Sequence, residues 1–190
     1  MQSIISVSHK DALMSFVYHI DTHAHMVPVK QKLRCMRTEW LLKIKEEFTK
    51  QLIEGFEEDF RNLNKAFPKD DFPLPHIDVL VDNTAGNTLM SFMDGFLGYN
   101  QIKIAPRDMT KTTFTTKWGI YCYTVMPFRL KNLGVTYQRM ATALLHDIMN
   151  NEVEVYVNDM IVKSKEREGH IVNLRKSFKR IKEYRLRLNP

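Results

Sequence analysis

Only two cysteines occur in 190 residues, Cys35 and Cys122, and they are far apart and without metal-ligand spacing. That supports neither a disulfide framework nor a zinc site and points to a reducing, intracellular setting. No run of 18 apolar residues is present, so a membrane-spanning helix is not expected. The apolar start, Met1 to Val7, is interrupted by Lys10 and Asp11 and is followed by no small-residue cleavage site, so a secretory signal is not expected either. There is no internal repeat. What is there is ordinary globular material: 44% hydrophobic, 11% aromatic and 26% charged. Such a composition can build a core and argues against a disordered or fibrous chain. The length implies one domain.

The net charge of +6 is unevenly placed. Ten basic residues and three acidic ones lie between Lys163 and Pro190, which leaves residues 1–162 close to neutral. A charge run is ordinarily a solvated helix face; beside a groove it becomes a phosphate-backbone footprint.

Residues 1–27 are poorly patterned. His19, His23 and His25 cluster there without matching carboxylates or cysteines, so no metal role is assigned to them. From Thr38, a plausible N-cap, the residues Trp40, Leu41, Ile44, Phe48 and Leu52 recur at helical spacing as far as Gly55. Prolines 68, 73 and 75 mark an extended connector. Leu89 to Met93 reads as a buried strand ending at Asp94, and Ile102 and Ile104 flank Lys103 in another. Thr112 to Thr116 and Tyr121 to Val125 predict a hairpin. Thr136 is expected to cap a helix whose apolar stripe is Tyr137, Met140, Ala141, Leu144, Leu145 and Ile148. Val153, Val155 and Val157, then Met160 to Val162, predict a hairpin around a two-residue Asn158-Asp159 turn. Ile171, Leu174, Phe178 and Ile181 form the apolar stripe of a basic terminal helix. Strands and helices mix without βαβ alternation, so the fold class is α+β.

Asp94 at a strand end and Asp159 at a hairpin tip are the acidic positions that stand out, although turn chemistry alone favours Asn and Asp at a tip. A series of strings in fixed order then becomes recognisable. It runs Phe72-Pro-Leu-Pro75, Leu89-Met-Ser-Phe-Met-Asp94, Gly98-Tyr-Asn-Gln-Ile102, Tyr121-Cys-Tyr123, Met126-Pro-Phe128, Leu130-Lys-Asn132, Tyr137-Gln138, Tyr156-Val-Asn-Asp159 and Leu188-Asn-Pro190. Over about Pro28 to Pro190 this order resembles the reverse transcriptase of gypsy-type LTR retrotransposons, especially plant ones. The resemblance implies a polymerase palm, a mostly antiparallel sheet with helices packed on one face, carrying a partial fingers subdomain.

The resemblance also implies a chemistry and its residues. The family performs RNA-directed DNA synthesis with two Mg2+ (or Mn2+) ions held by three aspartates, one matching Asp94 and a pair matching Asn158 and Asp159. One ion activates the primer 3′-hydroxyl and the other steadies the leaving pyrophosphate. Tyr99 matches the ring that rejects a 2′-hydroxyl, the backbone at Gly95 and Phe96 would face the incoming triphosphate, and Phe128 and Arg129 would lie under the nucleotide sugar. Asp59-Phe-Arg61 with Leu63-Asn-Lys65 resembles the fingers motif whose arginine, Arg61, touches the template strand. Implied partners are an RNA or DNA template–primer and deoxynucleoside triphosphates, with no membrane.

Four departures predict weakened or lost activity, and a degenerate, truncated copy. Asn158 stands where the family has a carboxylate. Gly55-Phe56 runs almost directly into Glu57-Glu58-Asp59, where a basic fingers hairpin is expected. Arg129 replaces a glycine. The chain stops at Pro190, ahead of the expected primer grip, thumb and ribonuclease H region. The alternative expectation is a non-catalytic nucleic-acid-binding remnant; a third is a protein-interaction module.

Overall fold

A computed structural model describes residues 4–7, 17–27, 29, 60–95, 98–116 and 119–189. The helix expected from Thr38, the segment near 55–59 where the fingers hairpin is expected to be missing, and Phe96 lie outside the described residues. The chain divides into two compact units, Met1–Lys69 with Tyr99–Lys131, and Asp70–Gly98 with Asn132–Pro190.

The first unit is built on a three-stranded sheet in the order β1-β6-β5. Strand β1 (Ile4–Val7) runs parallel to β6 (Gly119–Tyr123), and β5 (Phe114–Thr116) pairs antiparallel with β6 as the sequence predicts. A second parallel pair joins β2 (Val17–Tyr18) to β4 (Lys103–Ile104). The poorly patterned N-terminal stretch thus contributes two strands. Ile20, Phe67, Ile102, Ile104, Phe114 and Met126 are the buried apolar core. Helix α1 (Arg61–Ala66) closes on Phe67 and leads into the extended, proline-marked stretch. Asp108 is buried: Lys111 Nζ lies 2.8 Å from Oδ1, and the Ile20 backbone N–H donates to Oδ2 at 3.2 Å. Burial alone would raise its carboxyl pKa, but these donors and the neighbouring cations hold it below the usual value. Burial pushes the Cys122 thiol pKa up, which leaves it a packing residue.

The second unit carries a three-stranded antiparallel sheet in the order β3-β8-β7. Its strands are β3 (Leu89–Asp94), β7 (Val153–Tyr156) and β8 (Asp159–Ser164). Three helices accompany it: α2 (Ile77–Thr84), α3 (Leu133–Leu145) and α4 (Arg167–Glu183). Residues alternate between faces along a strand. Met90, Phe92 and Asp94 therefore share one face with Asp159, Ile161 and Lys163, and Ser91 shares the other with Met160, Val162 and Ser164. On the second face His170 of α4 lies between Ser91 Oγ (2.8 Å) and Ser164 Oγ (2.7 Å).

Four sequence expectations need correction here. β3 is not buried on both sides, since Met90 and Phe92 are 45% and 73% exposed. Helix α3 begins at Leu133 rather than after Thr136; Asn132 occupies the cap position, and Thr136 is a buried interior residue whose Oγ1 donates to Asn132 O. The hairpin turn is Val157-Asn158, one residue earlier than expected, because Tyr156 pairs with Asp159. Finally, α4 is rotated relative to its apolar stripe. It buries His170, Ser177 and Ile181 and leaves Ile171 and Phe178 about half exposed. Glu154, which alternates in sequence with Val153 and Val155, is buried as well. It meets Lys163 at 2.6 Å, and that ammonium also donates to Asn83 O and Asn150 O.

Candidate active site

Antiparallel pairing of β3 with β8 sets Asp94 directly opposite Asp159. Two residues distant in sequence thereby stand on one face at one end of the sheet, and both are exposed. Carboxylates so paired have Cβ atoms about 4.5–5.5 Å apart and repel unless a cation lies between them. Asn158 completes the tip. Its backbone oxygen accepts the Gly95 N–H at 3.0 Å, while its carboxamide Oδ1 is buried with no hydrogen-bond partner among the described residues. The Asn189 N–H donates to Asp94 O at 2.8 Å, and its Nδ2 lies 3.4 Å from Asp94 Oδ2.

The tip is held by a residue that carries no site role in the sequence analysis. Gln138, fully buried on α3, donates from Nε2 to Val155 O (3.1 Å) and accepts the Val157 N–H on Oε1 (2.6 Å). Its signal was a glutamine inside an otherwise apolar helical stripe, where an amide must find partners. Val157 itself has φ +54°, a conformation costly for a β-branched residue.

Gly95 is fixed by crowding. A Cβ there would meet the Tyr137 hydroxyl at 2.8 Å, and one at Gly98 would meet the Tyr137 ring at 2.6 Å. The Gly95 amide is already committed to Asn158 O.

The first unit gathers the other candidates. Tyr99 meets Phe128 edge to face at 5.5 Å. Arg129 is exposed with φ +70°, the left-handed region that a glycine occupies freely. Its backbone oxygen accepts from Asn64 Nδ2 at 2.7 Å, and Asn64 Oδ1 accepts the Lys131 N–H at 2.8 Å. The Phe128-Arg129 turn is thus tied to α1, whose first residue is Arg61.

Hard divalent cations take oxygen ligands, preferably charged ones. Asp94 and Asp159 supply two carboxylates, while the Asn158 Oδ1 is neutral and buried. This set fits one such ion and falls short of the charge that two require. Among the described residues no group of three His, Cys, Asp or Glu is gathered to hold a metal.

Comparison with known proteins supplies the context for this geometry. The family described as reverse transcriptase (RNA-dependent DNA polymerase) matches residues 30–190. The Pol polyprotein of transposon 412 of Drosophila melanogaster is 33% identical over 132 residues, 70% of this chain and 11% of that protein. The transposon gypsy polyprotein of the same organism is 32% identical over 113 residues, 60% of this chain and 11% of its own length. An RNA-directed DNA polymerase homolog of the plant Oenothera berteroana is 36% identical over 104 residues, 55% of this chain and 73% of the homolog. The chain therefore spans about a tenth of the two Drosophila polyproteins. The foamy viral protease–reverse transcriptase in complex with an RNA/DNA hybrid superimposes with a TM-score of 0.72 at 20% identity. That match covers 87% of this chain and 25% of the viral one. The same viral protein in complex with double-stranded DNA gives 0.74 at 18% identity, over 90% of this chain and 34% of the viral one. The fold is the α+β polymerase palm. Reverse transcriptases use divalent metal ions, the class of ion that the Asp94–Asp159 pair suits. With its palm sheet, its register-paired aspartates and a family match over most of its length, the chain belongs to the reverse transcriptase family and is related to retrotransposon Pol polyproteins.

Proposed function

We propose that the chain is a reverse transcriptase domain that binds RNA or DNA template–primer but carries out RNA-directed DNA synthesis weakly or not at all. One observation carries this reading: the hairpin tip that presents Asp159 to Asp94 offers a neutral carboxamide, Asn158, where a third carboxylate would complete the site. Loss of one preorganised electrostatic group at a reacting centre costs on the order of 10²–10³ in rate. Asp94 and Asp159 would hold Mg2+ or Mn2+; the chemistry such an ion supplies when bound is activation of the primer 3′-hydroxyl and stabilisation of the departing pyrophosphate.

The chain's own residues divide the remaining work. Tyr99, braced by Phe128, would exclude a 2′-hydroxyl from the incoming deoxynucleotide. Arg61 would contact the template strand. Gly95 and Phe96 would border the triphosphate, Gly95 by its lack of a side chain rather than by its amide, which Asn158 O already engages. Arg129, held in a glycine-like conformation, would project its side chain where the family has none.

Primer extension on an RNA template with Mg2+ or Mn2+ tests the reading. No incorporation above background is expected, whereas a labelled template–primer duplex should bind with an affinity that falls steeply with salt. Clear template-dependent extension would overturn the impairment, and absent or salt-independent duplex binding would overturn the nucleic-acid role.

A further inference from the structure

The basic segment that ends the sequence lies on the wrong side of the sheet to serve the aspartates. Helix α4 is fastened by His170 to Ser91 and Ser164, and Asn173 Nδ2 donates to Lys163 O at 3.0 Å. Ser91 and Ser164 belong to the face opposite Asp94 and Asp159. The outward side of α4 therefore points away from the candidate active site.

That outward side is unusual in two ways. Arg175, Lys179 and Lys182 recur at helical spacing in a stripe about 10 Å long, and among the described residues none of their side chains has an ion-pair or hydrogen-bond partner. Lys176 and Arg180 on the flank are spoken for by Glu152 and Asp147. Phe178, 48% exposed, lies beside the stripe together with Ile171. Glu168 and Glu183 are exposed on this helix as well, at its two ends. Cations in a last helical turn answer the helix dipole, but Arg175 sits in mid-helix and the dipole gives no reason to leave a phenylalanine in water.

Unpaired cations alternating with an exposed aromatic ring suit a partner that brings both phosphates and planar bases. We propose that the outer stripe of α4 binds single-stranded nucleic acid, with phosphates on Arg175, Lys179 and Lys182 and a base stacked on Phe178, at a site distinct from the aspartate face. This surface does not depend on synthesis, and it stands whether or not the template–primer reading holds.

The test uses the full chain, a short fluorescent oligouridylate and anisotropy. The triple variant Arg175→Glu, Lys179→Glu, Lys182→Glu should weaken oligouridylate binding more than about tenfold, and the salt slope should fall by about 2, from three lost phosphate contacts. Phe178→Ala alone should weaken it roughly tenfold through lost stacking. Val79→Ser, on the exposed side of α2, should leave it unchanged. Circular dichroism checks that the variants fold, which exposed substitutions should permit. Unaltered oligouridylate affinity in the folded triple variant would overturn the proposal. So would binding of phosphatidylserine vesicles through these three cations without binding of the oligonucleotide. If duplex template–primer affinity is lost through Asp94-face variants while the α4 effect persists, the template–primer site and this one are separate. If the triple variant loses only duplex binding, the second site is excluded.

Discussion

The Oε1 atom of Gln138 accepts the backbone N–H of Val157 at 2.6 Å, and Val157 is the residue whose φ of +54° turns the chain into Asn158 and Asp159. A buried amide on a helix thus holds the turn from which the candidate metal ligand emerges. Gln138→Leu would leave the Val155 carbonyl and the Val157 amide without their partner. It should lower stability by about 1–3 kcal/mol in chemical denaturation and weaken Mn2+ binding; unchanged stability would show that the clamp is dispensable.

Val157 and Arg129 both adopt backbone conformations that favour glycine. Val157→Gly and Arg129→Gly should each raise stability by about 1 kcal/mol, read as a higher denaturant midpoint. A fall in either midpoint would mean that the side chain contributes more than the strain costs.

Asn158→Asp adds a third carboxylate to the tip. Without divalent ions the extra charge should lower the melting temperature; with Mn2+ the loss should reverse, and the ion should bind roughly an order of magnitude more tightly. Primer extension should recover little, because Arg129 and the expected absence of a fingers hairpin are unaffected. Robust synthesis from this one substitution would reassign the defect wholly to Asn158.

Lys163 and Glu154 form a buried pair that also fastens Asn83 and Asn150. Lys163→Met leaves a buried carboxylate alone and should cost about 3–5 kcal/mol. Adding Glu154→Leu should recover part of that loss in a double-mutant cycle, since the pair itself is costly to desolvate. Additive losses would contradict the coupling.

Asp108 gives the first unit an acid limit. Lys111, the Ile20 amide and Arg107 outweigh burial and hold its carboxyl pKa below the ordinary value of 3.8. A carboxyl depressed in the folded state contributes stability above its unfolded pKa and loses it as pH falls through the folded one. Stability should therefore drop below about pH 4, and Asp108→Asn should lower stability at neutral pH while flattening that drop. An unchanged acid profile in the variant would exclude Asp108 as its source.

Much of the fold is legible in the sequence where local chemistry and tertiary pairing agree. The strands ending at Asp94 and beginning near Met160 follow from their apolar runs, and the meeting of Asp94 with Asp159 was implied by the ordered strings, since spacing alone cannot show it. The turn shifted by one residue because pairing of β8 with β3 and β7 outweighs the preference of Asn-Asp for a turn. Helix α2 leaves no local mark in the sequence, because Ile77, Val79 and Val81 are all exposed and no buried stripe runs along it. The parallel β1–β6 pair spans more than a hundred positions, which no local pattern records. The rotation of α4 follows from His170: a polar contact with two serines fixes the helix more specifically than its apolar stripe does.

Tyr137 fills the space in which any side chain at Gly95 or Gly98 would have to sit. A side chain at either position must therefore displace Tyr137, at a cost in folding yield. Folding alone is thus reason enough for both glycines, apart from any part Gly95 takes beside a triphosphate.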